Sequence, residues 1–309
     1  MSTVVRRSLF ASLGFIALMV VIAAADYVGV VPRTGLWWAT QEPVAKLDQA
    51  KIGLKGYRVT IDAKAVVLSN GIHLENLSAL SYDAERDLLW TVSNSTPHLF
   101  ALNKQGDVQR IVRLDGVLDP ESVEHMQGNQ FAMVDEELQT LWVFEVPEDA
   151  KVLDLDNAHS LRLGPLTHNN KMFEGLAYDK ANHRLFIGRE KDPVSIIEVS
   201  GFPPHADAPF LAINLHRDDN REQQLFVQDL SALHYDAQTG HLLGLSDEMQ
   251  MLVEWSEDGD MVDGISLKSD SRGFAAPVPQ AEGLTMGPDR EIYIISEPNL
   301  FYRLDPVAP

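Results

Sequence analysis

One short phrase recurs five times along the chain: Leu77-Ser78-Ala79-Leu80, Pro120-Glu121-Ser122-Val123, Phe173-Glu174-Gly175-Leu176, Leu230-Ser231-Ala232-Leu233 and Ala281-Glu282-Gly283-Leu284. Each copy is followed by a turn and then by an apolar run that ends in a polar pair. Those pairs are Ser93-Asn94, Asp135-Glu136, Arg189-Glu190, Ser246-Asp247 and Ser296-Glu297. The second residue of the phrase, here called the lead position, stands 15 or 16 residues before the end of that run in every copy. Successive lead positions lie 43 to 57 residues apart. A repeat of that length built from short apolar runs and Asp/Asn/Gly turns predicts an all-β propeller of four-stranded blades.

Third strands are expected at 99–102, 141–144, 195–199, 251–255 and 300–304, and outer strands follow in the first four units, for example at 210–215 and 261–267. Only 27 residues remain after Glu282, so the fifth unit has no room for a fourth strand of its own. The alternating segment Gly56-Tyr57-Arg58-Val59-Thr60-Ile61-Asp62 is expected to supply it, closing the ring between the two ends of the domain. Five blades follow, with six as the alternative if residues 56–76 or 203–228 hide further strands. Ala79, Ser122, Gly175, Ala232 and Gly283 follow the lead positions, as the crowding of inner strands near a propeller axis requires.

Packing does not explain the acids. An inner strand and its neighbour form an antiparallel hairpin, so the start of one and the end of the other share a rim. The aligned polar positions therefore converge on one mouth of the central channel. Glu121, Glu174 and Glu282 occupy lead positions, with Ser78 and Ser231 in the other two copies. Behind them come Asn94, Glu136, Glu190, Asp247 and Glu297, with Asp135 and Arg189 just before two of these. So many carboxylates in a confined place must either take up protons or hold a cation. The chain has no cysteine, which leaves oxygen or imidazole ligands for any metal. Calcium takes six to eight oxygens and tolerates irregular geometry, so Ca2+ is the expected ion, in preference to the more exacting magnesium. The metal set expected is Glu121, Glu174, Glu282, Glu136, Glu190, Asp247 and Glu297. Ser78, Ser231, Asn94, Asp135, Arg189 and Arg272 are expected to line the ligand side. A solvated acidic ring, or a cleft for a cationic organic ligand, are the alternatives.

With 25 Lys+Arg against 45 Asp+Glu, the net charge of −20 repels nucleic acid and attracts cations. Arg6-Arg7 precedes eighteen uncharged residues, Ser8 to Ala25, a helix of roughly 27 Å that matches a bilayer core. The positive charges predict an inside N-terminus and an exported remainder. Residues 1–26 are thus expected to be an inner-membrane anchor or uncleaved signal, although Ala23-Ala24-Ala25 would also suit cleavage. Residues 27–54 are expected to be a juxtamembrane linker and 55–309 the propeller.

The chain shows no G-x-S-x-G, H-E-x-x-H, phosphate-loop or EF-hand pattern. His125, His168 and His234 near strand starts read as structural. Asp154-Leu155-Asp156 and Asp218-Asp219-Asn220 read as solvated acidic segments, and Ser271-Arg272-Gly273 opens a link expected to pass over the mouth, where Arg272 binds an anion or neutralises Glu282.

At Asp119-Pro120-Glu121, Phe173-Glu174-Gly175-Leu176-Ala177-Tyr178, Asp229-Leu230-Ser231, Ser271-Arg272-Gly273, Gln280-Ala281-Glu282-Gly283 and Ser296-Glu297-Pro298-Asn299 the chain resembles the bacterial YjiK/CarP family of SdiA-regulated proteins. The likeness covers about residues 55–305. It implies a periplasmic propeller tethered to the inner membrane and, through the CarP branch, a part in calcium homeostasis. The family is also compared with β-propeller phytases, which hold and hydrolyse phosphate esters on bound calcium. The function expected is calcium binding with sensing, buffering or presentation of a small ligand. The alternatives are a calcium-dependent phosphoesterase or lactonase, with Glu190 or Glu136 activating water, and a scaffold for an envelope protein using the rim segment 202–210.

Overall fold

The computed structural model describes residues 54–68, 71, 74–164, 172–204, 212–269 and 271–307. The expected anchor, the linker up to residue 53, His168 and most of the rim segment 202–210 lie outside these residues. No helix among the described residues is long and apolar enough to cross a membrane.

The first strand, β1 (Tyr57–Ala65), belongs to the last blade. Blade one comprises β2 (Leu77–Asp83), β3 (Leu88–Ser93), β4 (His98–Leu102) and β5 (Val108–Asp115). Blade two has β6 (Pro120–Gln127), β7 (Gln130–Asp135), β8 (Thr140–Glu145) and β10 (His159–Arg162), while β9 (Val152–Asp154) pairs parallel with β5 of blade one. Blade three comprises β11 (Phe173–Asp179), β12 (Arg184–Arg189), β13 (Ser195–Ser200) and β14 (Asn214–Arg217). Blade four comprises β15 (Ala232–Asp236), β16 (His241–Ser246), β17 (Met251–Trp255) and β18 (Met261–Ser266). Blade five is β19 (Ala281–Met286), β20 (Ile292–Ser296) and β21 (Leu300–Pro306), closed by β1 running antiparallel to β21.

This is the five-bladed ring that the repeat predicts, with the two ends of the domain joined in one sheet. The six-blade alternative fails. Residues 66–68, 71 and 74–76 form no strand beyond an isolated bridge, and the described part of 203–228 holds the outer strand β14 and one short helix, α1 (Asp219–Gln224). Within the segment expected to be a solvated insertion, Asp218 accepts the Arg221 amide at 3.0 Å, and the buried Arg221 pairs with Glu198 at 2.7 Å. Asp154, likewise read as solvated, caps a single 3-10 turn by accepting the Asp156 amide at 3.0 Å.

Alternation of strand side chains explains how the blades cohere. In β7, Phe131 and Met133 enter the apolar cluster shared with blade one, whereas Ala132 and Val134 enter the one shared with blade three. Trp90 meets Phe131 edge-on at 5.0 Å across the first of these seams. Equivalent clusters join blades three and four, four and five, and five and one. Each fully buried large side chain contributes about 1.5–3 kcal/mol, so the seams carry the stability of the ring. Near the axis the blades approach so closely that a Cβ on Gly283 would lie 2.5 Å from the Ala79 carbonyl carbon of blade one.

The rim away from the lead positions is built on paired charges. Asp83, Asp179 and Asp236 end their inner strands, are buried, and accept amides of the following turn at 2.9, 3.1 and 3.0 Å. Arg86 and Arg184 reach Asp83 and Asp179 at 2.9 and 2.8 Å within their own blades, and Arg290 of blade five reaches Asp236 of blade four at 2.6 Å. Burial opposes ionisation of these three acids, but the arginines and turn amides outweigh it and hold their pKa values below the ordinary aspartate range.

Two outcomes follow. Gly283→Ala should destabilise the protein by about 1–3 kcal/mol in chemical denaturation, because the obstacle is backbone as well as the Ile295 side chain. Asp179→Asn should also destabilise it at neutral pH. A carboxylate with a depressed folded pKa stabilises above its unfolded pKa of about 4 and loses that contribution as pH falls, so the difference between parent and Asp179→Asn should shrink below about pH 4.

Candidate metal centre at the acidic mouth

The three lead glutamates are aimed by a shared irregularity. Pro120 pairs with Asp135 and Ser122 with Val134, leaving Glu121 as the extra residue of a β-bulge. The same two-against-one count leaves Glu174 between the pairs Phe173–Arg189 and Gly175–Gly188, and Glu282 between Ala281–Ser296 and Gly283–Ile295. A bulge residue leaves the ladder and is turned off the pleat, so it need not pack against a neighbouring blade. In blade one the lead serine pairs with Val92 and the irregularity follows it, between Ser78 and Ser81, and in blade four the lead Ser231 stands just before its strand with its amide donating to the Leu245 carbonyl at 3.1 Å.

The second set of polar residues is held just beyond the ends of the second strands. The amides of Glu136, Glu190 and Glu297 donate to the carbonyls of Asp119, Met172 and Gln280 at 2.9, 2.8 and 2.9 Å. In each case the acceptor lies two residues before the lead position. Blade four uses a side chain instead: Asp229 accepts the Ser246 hydroxyl and the amides of Asp247 and Glu248, the last two at 2.9 and 3.1 Å.

These anchors bring carboxylate oxygens of Glu136, Glu174 and Glu190 to within 4.8 Å of one another. Asp119, Glu121 and Glu136 meet the same limit, with Glu136 common to both triads. Two oxygens on opposite sides of a calcium ion, each at 2.3–2.6 Å, are about 4.6–5.2 Å apart, so either triad can bind one ion through all three members. Glu282, Asp247 and Glu297 form an adjoining group: Glu282 is repelled by Glu297, Asp247, Asp229 and Glu190.

Electrostatics at this rim are the reverse of those at the other. Burial, followed by repulsion from Glu282, Glu190, Glu121 and Glu136, pushes Glu174 well above the usual carboxylate range. Glu121 is pushed well up by burial and by Asp119 and Glu136, against hydrogen bonding from Asn94 at 2.7 Å and the proximity of Ser78. Burial raises Glu136 to about 7 although the Met172 amide donates to it at 2.8 Å, and raises Glu282 to about 8. Burial likewise raises Asp119, Asp247 and Glu297. Among the described residues, the only cation in a salt bridge with a mouth carboxylate is Lys191, shared between Glu190 at 2.5 Å and Glu248 at 2.9 Å.

Some expected site residues stand elsewhere. Asp135 is fully buried and accepts the Leu118 and Leu138 amides at 2.7 and 2.8 Å, which makes it a turn anchor. Ser231 donates to the Ala281 carbonyl at 2.6 Å and ties blade four to blade five. Arg189 contacts the Met172 sulfur at 3.6 Å and is paired with no mouth carboxylate among the described residues. Arg272 is not brought to Glu282. Its link starts at the outer edge, where Val59 donates to the Arg272 carbonyl at 3.0 Å and where burial and Arg58 depress the guanidinium pKa while Asp263 raises it.

Two groups escaped the sequence expectation. Asp119 completes the second triad, and its signal was the position two residues before the lead. Glu124 lies three residues after a lead position, in a column with Ser81, Ala177, His234 and Thr285. It faces Ser81 and the Tyr178 amide, and burial raises it to about 8. His234 in the same column is depressed to about 4 by burial, so it is neutral, as a structural histidine should be.

A profile of the SdiA-regulated family matches residues 49–305, the whole ring together with all its mouth residues. The chain belongs to the SdiA-regulated family. Solved structures similar to this SdiA-regulated protein include luciferin-regenerating enzyme, with 12% identity, TM-score 0.49, and coverage of 81% of this chain and 94% of that one. Another is a gluconolactonase from Xanthomonas campestris, with 10% identity, TM-score 0.46, and coverage of 80% and 96%. A nidogen/laminin complex matches at 13% identity and TM-score 0.46, covering 73% and 74%. The chemistry of the mouth therefore rests on this chain's own residues.

The raised acids set a pH signature for the metal-free protein. A carboxyl whose folded pKa exceeds its unfolded value of about 4.3 binds more protons when folded, so stability falls as pH rises between the two values. The melting temperature of the metal-free SdiA-regulated protein should drop between about pH 5 and pH 8. Glu174→Gln should raise it at pH 8 by removing a carboxyl whose ionisation the folded state resists; an unchanged or lower value would show that Glu174 has a cationic partner.

Proposed function

We propose that the mouth of this SdiA-regulated propeller is a calcium-binding centre and that the protein serves in the cell envelope as a calcium-dependent sensor or ligand-presenting module. The observation that carries the reading is the Glu136–Glu174–Glu190 triad, whose oxygens lie within a single ion's reach. The donor set supports a hard cation. It consists of carboxylates, with the amide oxygen of Asn94 and the hydroxyl of Ser78 nearby, and contains no thiolate and no imidazole. Its irregular, bulge-built spacing suits calcium better than an octahedral magnesium shell.

An envelope location is supported by Arg6-Arg7 and the uncharged run to Ala25, which fit an inner-membrane anchor with the propeller outside the cytoplasm. Lys191, paired with Glu190 and Glu248, gives the triad a charged edge on which an anionic or zwitterionic ligand can complete the ion's coordination. The net charge of −20 argues against a nucleic-acid partner.

A cation that binds the folded state alone raises stability by RT ln(1 + [L]/Kd), about 2.7 kcal/mol at one hundred times Kd. Calcium titrated from micromolar to millimolar at pH 7.5 should raise the melting temperature by several degrees, and equimolar magnesium by less. Glu136→Gln, which touches both triads, should remove most of the rise. A melting temperature that does not respond to calcium contradicts the proposal.

A further inference from the structure

Beneath the triads the ring encloses a small axial cavity, walled in part by Glu174, Glu282, Ser122 and Ser231. Its volume is about 10 Å³, enough for a single water-sized occupant. Ser122 is 2% exposed, and its hydroxyl, although buried, makes no hydrogen bond with any described group. Buried hydroxyls are satisfied in almost all folded proteins, so an unpartnered one facing a cavity points to an occupant. Ser231 uses its proton on the Ala281 carbonyl and so offers only oxygen lone pairs to the cavity.

The carboxylates narrow the identity of that occupant. Glu174 and Glu282 repel each other, and among the described residues nothing donates a hydrogen bond to either. A water molecule would satisfy Ser122 but would leave Glu174 and Glu282 to be neutralised by proton uptake alone. A hard cation satisfies both, because the polar side chains that line the cavity, set among Leu80, Val123, Leu176, Leu233 and Leu284, all carry oxygen lone pairs. We propose that a second cation sits on the axis, bound by Glu174, Glu282 and the Ser122 hydroxyl, with Ser231 as a further oxygen ligand. The proposal rests on the cation reading of the mouth and adds a position to it: Glu174 lies between the two ions, and Glu282, which belongs to neither triad, becomes a ligand.

Calcium binding by the full chain, followed by isothermal titration calorimetry with equilibrium dialysis as the count, separates the possibilities. The parent should bind one equivalent more than Glu282→Gln, and Ser122→Ala should weaken that same equivalent about tenfold while leaving the others unchanged. Circular dichroism on both variants establishes that they are folded, and Ser122→Ala supplies the test if Glu282→Gln is not. No calcium binding by the parent defeats the reading of the mouth as a whole. Calcium binding with the same stoichiometry in parent and Glu282→Gln, and no weakening in Ser122→Ala, overturns the axial site alone.

Discussion

Like charge held at close range inside a closed ring is the constraint around which this molecule is organised. Two unit charges about 4 Å apart interact by about 1 kcal/mol in water but by about 4 kcal/mol at the effective dielectric of a protein's outer layers. The mouth collects several such contacts, and Glu174 alone is pushed upward by four neighbouring glutamates. Proton uptake relieves the repulsion only in part at neutral pH, since Glu136 and Glu282 titrate near 7 and 8. A divalent ion would relieve more of it and gain oxygen ligands in doing so.

The contrast between the two rims separates structural from functional charge. At one, Asp83, Asp179 and Asp236 have an arginine and turn amides each, and their carboxyls are more acidic than usual. At the other, Lys191 is the paired cation among the described residues, and the acids are less acidic than usual, first through burial and then through one another. Burial raises the acids at both rims, and at the first the arginines and turn amides outweigh it. The apolar seams between blades supply the stability against which the unpaired mouth is maintained.

Much of this is legible from residue order because propeller geometry is periodic. The lead positions, the small residues after them and the polar pairs at the ends of the second runs fall at equivalent places in each blade, and Tyr57–Ala65 was readable as the closing strand because the fifth unit lacked its fourth. The bulges were not legible. A bulge is a count of two residues against one across a pair of strands, and nothing local to Pro120-Glu121-Ser122 reveals which residue the partner skips. The same holds for Asp229, which replaces a backbone acceptor only because Asp247 and Glu248 fold back onto it, and for the parallel pairing of β9 with β5. Arg272 was misplaced because a link that ends at the mouth, where Gln280 meets Glu297, begins at the outer edge of the ring. Glu124 stands one place beyond the phrase Pro120-Glu121-Ser122-Val123, where the other copies carry Ser81, Ala177, His234 and Thr285, so no shared residue type marks the position as buried.

Anomalous diffraction from crystals of the protein grown in calcium tests the central claim most directly. The account predicts a calcium peak within bonding distance of Glu136, Glu174 and Glu190, on the same side of the ring as Glu121 and Glu282. A mouth that stays free of ions in millimolar calcium at pH 8, with its glutamates hydrogen-bonded to one another through shared protons, would contradict it.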